Sequence, residues 1–141
     1  MNKLWLALLV VWLCGCSTVN QQLQPSLYDR LGKTSGIDAL VYELLVEIAD
    51  DDRIVDRFTG VNIERFKTGL VNYLCSISGG PCVYTGDSMR VVHAGHGYTE
   101  TEFNALVENL ITAMNRREID IGTQNQLLAR LAPSYQDVVY R

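Results

Sequence analysis

Apolar residues recur along the chain at intervals of three and four, and no stretch keeps up a strict apolar–polar alternation. Ile37, Leu40, Val41, Leu44, Leu45 and Ile48 form one such stripe, with Ser35 placed to cap the helix that carries it. Ahead of it, the segment Ser26 to Leu31 reads as a short turn closed by Gly32. Asp50-Asp51-Asp52 interrupts the stripe, and Ile54, Val55 and Phe58 follow on another short turn. Asn62 is a cap for a helix over Ile63 to Cys75, with Phe66, Leu70, Val71 and Leu74 along one side. Thr99-Glu100-Thr101-Glu102 is a capping box ahead of Phe103, Leu106, Val107, Leu110, Ile111 and Met114. Thr123-Gln124-Asn125-Gln126 offers a second box before Leu127, Leu128 and Leu131. Pro133 is expected to kink this last helix and not to end it, because Tyr135, Val138 and Val139 continue its apolar side. The pattern predicts an all-α domain of short helices.

One stretch departs from that pattern. Gly79 to Gly97 reads GGPCVYTGDSMRVVHAGHG and gathers both histidines with several of the chain's glycines. Glycine and proline explain a tight, irregular connection. They do not explain the imidazoles. Met89, Val91 and Val92 give His93 an apolar turn, which suits either a satisfied structural histidine or a ligand to a metal held among apolar helices.

Composition narrows the partners. The 141 residues make one domain's length, and 48% apolar against 20% charged residues is enough to bury a core. The formal charge is −4 with no long Lys/Arg run, which argues against nucleic acid. The acidic triplet lacks the spread of oxygen ligands and the central glycine of a calcium loop, so it reads as a solvated helix end. No phosphate-cradling glycine loop, G-x-S-x-G or His-Glu-x-x-His occurs, and no catalytic residue is assigned.

The first residues, MNKLWLALLVVWLCGC, are a different material. A single lysine precedes an apolar run from Leu4 to Cys14, the size of a signal-peptide core. Leu13-Cys14-Gly15-Cys16 resembles the bacterial lipobox, which implies cleavage before Cys16, its diacylation, and membrane anchoring on the periplasmic or outer side. The chain then divides into a signal peptide (1–15), a polar tether (16–25) and a domain (26–141). Cys75 and Cys82, seven positions apart, remain for the domain, and a disulfide and a free buried thiol both stay open.

Several spaced motifs carry a resemblance. Leu27-Tyr28-Asp29-Arg30-Leu31-Gly32 with Gly36-Ile37, Asp51-Asp52 through Phe58-Thr59-Gly60, and Gly79-Gly80-Pro81 fall in order. Tyr84-Thr85-Gly86, Met89, Val92-His93, Gly97-Tyr98-Thr99 and Phe103 follow. Together they resemble the group I truncated haemoglobins over nearly the whole domain. The resemblance implies a shortened globin fold, two helices over two, that holds haem b and its iron and binds a diatomic gas. It implies that His93 is the proximal iron ligand and that Phe58 packs on the haem face. Phe66 and Leu70 fall at distal-helix positions, Leu45 at the distal position of the preceding long helix, and Leu74, Met89 and Val92 at pocket-lining positions. Arg65, Lys67 and Arg90 are the basic candidates for the haem propionates, and His96 is expected at the surface.

Two departures stand out. Many relatives carry a tyrosine where this chain has Leu45 and a polar residue near Leu70. Leu45, Phe66 and Leu70 donate no hydrogen bond, so a dry pocket is expected that favours carbon monoxide or nitric oxide over strongly held dioxygen. Lys33 replaces a second glycine after Gly32, so the first interhelical corner is expected to differ. Reversible binding of oxygen, nitric oxide or carbon monoxide is the primary reading. Nitric-oxide dioxygenation or gas and redox sensing at the membrane is the alternative, and the residues name no redox partner. Two rivals lie outside the haem reading: a haem-free partner-binding lipoprotein, and a zinc site of Cys75, Cys82, His93 and His96. The second is disfavoured by the wide spacing of the cysteines.

Overall fold

The structure is a computed structural model, and it describes residues 24–141. The signal peptide, Cys16 and all but the last two residues of the tether lie outside the described residues. The described chain is helical: α1 (Leu27–Arg30), α2 (Lys33–Ala49), α3 (Ile63–Ile77), α4 (Met89–His93), α5 (Glu100–Arg116), α6 (Ile121–Leu131) and α7 (Tyr135–Val138). Short 3-10 turns cover Val55–Phe58 and Ala132–Ser134. Among these residues the sole β-type pairing is an isolated bridge between Tyr98 and Val139. None of their helices is long and apolar enough to cross a membrane.

The α2 stripe is the centre of the fold. Ile37, Leu40, Val41, Leu44 and Ile48 are buried on one side of it, and α2 packs against both α3 and α5. From α3 come Val71, Leu74 and Cys75, from α5 Ala105, Leu110, Ala113 and Met114, and from α6 Leu127. Burying each larger aliphatic side chain contributes roughly 1.5–3 kcal/mol, so this cluster and not helix propensity holds the short helices in place.

Two of the four predicted caps are present: Thr99 forms a capping box with Glu102, and Asn62 accepts from Arg65 N. Ser26, read only as part of a turn, forms a further capping box with Asp29. Helix α3 runs two residues beyond its expected end, to Ile77. Two starts differ. Helix α2 begins at Lys33 behind Gly32, and Ser35 lies inside it, donating from Oγ to the Gly32 carbonyl at 3.2 Å. Helix α6 begins at Ile121, with Asp120 as its cap. Thr123 is the third helical residue and donates to both Asp120 oxygens, its N to Oδ1 at 3.0 Å and its Oγ1 to Oδ2 at 2.5 Å. At the far end α6 stops at Leu131, and Pro133 sits in the 3-10 turn that leads to α7.

The corner at Lys33 keeps a glycine-like backbone in spite of its side chain. Lys33 has φ +60°, in the left-handed region. The acidic triplet also differs from a simply solvated helix end. Asp50 and Asp52 are exposed, but Asp51 accepts from Arg53 N, Nε and Nη2 at 3.0, 2.9 and 2.8 Å and from Asn109 Nδ2 at 3.0 Å. The Arg53 guanidinium foremost, with the Asn109 amide, holds its carboxyl well below the usual carboxylate range. Asp51 therefore ties the turn after α2 to α5.

Candidate functional site

Helix α4 is five residues long, and its ends fix where His93 sits. Ser88 starts it in an extended conformation and accepts from Val91 N at 3.4 Å. Ala94 leaves the helix at ψ 131°. Gly95 and Gly97 then take φ +79° and +60°, values that a Cβ resists, so the chain turns back directly after the histidine.

The half-buried imidazole of His93 is committed on one side only. Its Nδ1 lies 2.7 Å from the Met89 carbonyl oxygen, one turn earlier. A carbonyl only accepts, so Nδ1 carries the proton and Nε2, across the ring, keeps its electron pair. This is the tautomer that a metal-binding histidine adopts when a backbone carbonyl orients it.

A polar brace lies beside it. The Tyr98 ring meets His93 edge-on at 5.7 Å between centroids, and His96 stacks on the same tyrosine at 5.5 Å. The Arg57 guanidinium sits 5.1 Å from the centre of that ring. Arg57 also binds Glu102 with Nε at 2.5 Å and Nη2 at 3.0 Å, and donates from Nη1 to the His96 carbonyl at 3.2 Å. The turn that bears Phe58 is thus fastened to the loop that follows His93. Arg57 chiefly, with the Thr99 backbone N–H, pulls the Glu102 carboxyl down to about 2. Residues 139–141 close over the same loop: Tyr140 N donates to the Tyr98 carbonyl at 2.8 Å, and Gly97 N to the Arg141 carbonyl at 2.9 Å. Helix α4 packs on α7, and Arg90 pairs with Asp137 at 2.8 Å.

The residues expected to line a pocket divide into three groups. Leu74 is 2% exposed and belongs to the core itself. Leu45, Leu70 and Phe58 are half-buried and rest on that core. Phe66 and Met89 are half-buried without joining it, as are Phe103, Val107 and Val138. Phe58 and Phe66 meet edge to face at 5.3 Å, and Phe103 meets Tyr135 at 5.0 Å. Val92 is 46% exposed. Apolar side chains that are half-covered yet outside the core have room to bury further surface against a flat apolar group. Such a group, carrying a metal that takes one imidazole nitrogen, fits this donor set.

Of the three basic candidates, Lys67 pairs with Asp38 at 2.9 Å and Arg90 with Asp137. Arg65 is exposed, and among the described residues no carboxylate pairs with it. His96 is exposed, as expected. The zinc reading is corrected: Cys75 and Cys82 form a disulfide, with Cα atoms 5.8 Å apart, which takes both sulfurs away from a metal. Among the described residues no group of three or more His, Cys, Asp and Glu side chains is placed to hold an ion. The Arg57–Tyr98–Glu102 brace is not legible in the sequence. Arg57 adjoins Phe58 and Tyr98 follows Gly97, but local spacing carries no trace of an ion pair between residues 45 positions apart.

A profile of the bacterial-like globin family matches residues 26–139. A group 1 truncated haemoglobin of Mycolicibacterium paratuberculosis is 32% identical over 108 residues, covering 77% of this chain and 79% of the relative. One of Nostoc sp. is 31% identical over 106 residues, covering 75% and 90%. Among solved structures, the truncated haemoglobin of Tetrahymena pyriformis in its Fe(III) form superposes with a TM-score of 0.79 at 20% identity, over 83% of this chain and all of that one. The 2/2 haemoglobin of Synechococcus, solved with covalently attached haem, gives 0.77 at 23% identity, again over 83% of this chain and all of that one. The fold is the truncated, two-over-two globin fold.

Proposed function

The chain belongs to the bacterial-like globin family, and from that premise we propose that it binds haem b through His93 and reversibly binds a diatomic gas there. The observation that carries the reading is the His93 imidazole, whose Nδ1–H is spent on the Met89 carbonyl while Nε2 is left to ligate. Bound haem supplies an iron with one coordination position for the protein and one for a gas. Phe58 and Phe66, with Leu45, Leu70, Met89 and Val92, supply the apolar walls that keep water out of that position. Leu74 backs them from the core. Arg65 is the group for a haem propionate, since its charge is not already spent on a carboxylate among the described residues.

Leu45, Phe66 and Leu70 place no donor on the distal side, which favours carbon monoxide and nitric oxide over tightly retained dioxygen. The same lack of a donor disfavours dioxygenation of nitric oxide, which needs dioxygen held in place. The lipobox-like Leu13-Cys14-Gly15-Cys16 supports a lipid anchor at Cys16, with the globin domain held at the membrane outside the cytoplasm. Iron and porphyrin analysis of the full chain, purified in detergent with haem supplied, tests the central reading. Close to one iron and one porphyrin per chain supports it, and a chain that retains neither overturns it.

A further inference from the structure

We infer that the Cys75–Cys82 disulfide is a positioning element for His93: it restrains the loop that delivers the imidazole and so slows the loss of haem. The inference rests on the haem reading above and adds to it a link between haem retention and an oxidising compartment.

The loop between α3 and α4 has few holds of its own. From Gly79 to Ser88 every residue is exposed except Gly80, Cys82 and Tyr84. Among the described residues, residues 81–87 make no hydrogen bond outside the loop; the one they make is internal, from Tyr84 Oη to the Asp87 carbonyl at 3.0 Å. Two tethers remain. Tyr84 meets the Tyr73 ring of α3 edge-on at 5.3 Å. Cys82 is bonded to Cys75, which is fully buried in the last turns of α3. Gly80 is pressed against the same place, donating its N–H to the Cys75 carbonyl at 2.9 Å, and a methyl added to it would stand 2.7 Å from Cys75 Sγ.

The disulfide therefore divides the connection. With it closed, the run free to move before α4 is residues 83–88; with it open, the run is residues 81–88, because Ser78, Gly79 and Gly80 stay hydrogen-bonded to the end of α3. Beyond Ser88 the path to the imidazole is rigid: the Ser88 cap, the short helix, and the bond from His93 Nδ1 to Met89. A shorter free run restricts how far that assembly strays from a bound haem, so the ligand recaptures the metal more often. Reduction by a dithiol breaks the S–S bond, adds two electrons and two protons to give two thiols, and leaves the dithiol as its own cyclic disulfide. The extracytoplasmic side, where the tether would place this domain, keeps the bond closed.

The test uses the haem-loaded full chain in detergent and follows transfer of haem to an excess of a haem-scavenging globin. Wild type, wild type treated with dithiothreitol, and the Cys75→Ala/Cys82→Ala variant are compared. The expected result is haem loss faster by at least about 1.5-fold in the last two, the ratio that lengthening the free run gives. A second background separates positioning from general loosening. In His93→Gly supplied with free imidazole the ligand is no longer attached to the loop, so opening the disulfide should leave haem loss nearly unchanged. Equal rates with and without the disulfide in the His93 background overturn the inference while leaving haem binding intact. An equal acceleration in both backgrounds also overturns it, by assigning the disulfide to fold stability alone. Absence of haem from oxidised wild type is a separate result, and it overturns the haem reading itself.

Discussion

Arg57 holds Glu102 with two nitrogens and lays the same guanidinium over Tyr98, the ring whose edge meets His93. The pair makes acid stability a property of the site. Glu102 titrates at about 2 in the fold against an ordinary value of 4.5. A carboxyl depressed by folding stabilises fully above its unfolded value, and the contribution is lost as pH falls toward the folded one. The wild-type thermal midpoint should therefore fall between pH 5 and 2 more steeply than that of Glu102→Gln, which keeps a capping side chain without the charge. At pH 7 the variant should melt a few degrees lower, and near pH 2 the two midpoints should converge. Parallel curves across this range would detach Glu102 from the effect.

On the proposed reading, Leu45 makes the distal side apolar. Leu45→Tyr introduces a donor at the position where many truncated haemoglobins carry a tyrosine, and a charge-assisted hydrogen bond of roughly 1.5–3 kcal/mol corresponds to about ten- to a hundredfold in affinity. Flash photolysis or stopped-flow mixing should show dioxygen leaving the wild type quickly and the variant at least about tenfold more slowly, with carbon monoxide release little changed. A wild-type release rate already as slow as the variant's would mean that another group donates.

Lys33 pays for a conformation that suits glycine. A left-handed backbone costs a residue with a Cβ about 1–2 kcal/mol, while glycine gives back roughly 0.5–1 kcal/mol through the freedom it adds to the unfolded chain. The difference favours glycine, so Lys33→Gly should stabilise the fold by roughly 0.5–1 kcal/mol, read from urea unfolding. A destabilised variant would show that the corner does not hold this conformation in solution.

Anchoring is tested apart from haem chemistry. Cys16→Ser should move the chain from the detergent-extracted membrane fraction to a fraction recovered without detergent, because two acyl chains are needed for stable attachment. Fractionation with an antibody to the globin domain reads this directly, and an unchanged membrane signal counts against lipidation at Cys16.

The sequence was most legible where burial repeats. The stripes of α2, α3 and α5 predict helices because one side of each faces the core, and Ile37, Leu40, Val41 and Leu44 are indeed buried. Helix starts were less legible wherever two residues compete to cap. Ser35 and Gly32 stand three apart, as do Thr123 and Asp120, and the fold uses the earlier residue each time. His93 was marked by its apolar neighbours and the glycines after it, but its hydrogen bond to Met89 needed a helix that the glycine-rich pattern does not announce. The Arg57–Glu102 pair and the grip of Asp51 on Arg53 and Asn109 depend on how helices approach, which periodicity along one helix does not record.

The central claim is that His93 holds the iron of a bound haem, and the most direct measurement is the ultraviolet–visible spectrum of the full chain beside His93→Ala. The account predicts a sharp Soret band in the wild type that shifts on reduction and again on adding carbon monoxide. In the variant the band should weaken or change shape, with free imidazole restoring it in part. A wild type without a Soret band after reconstitution, or a variant whose ferric, ferrous and carbon monoxide spectra match those of the wild type, would contradict it.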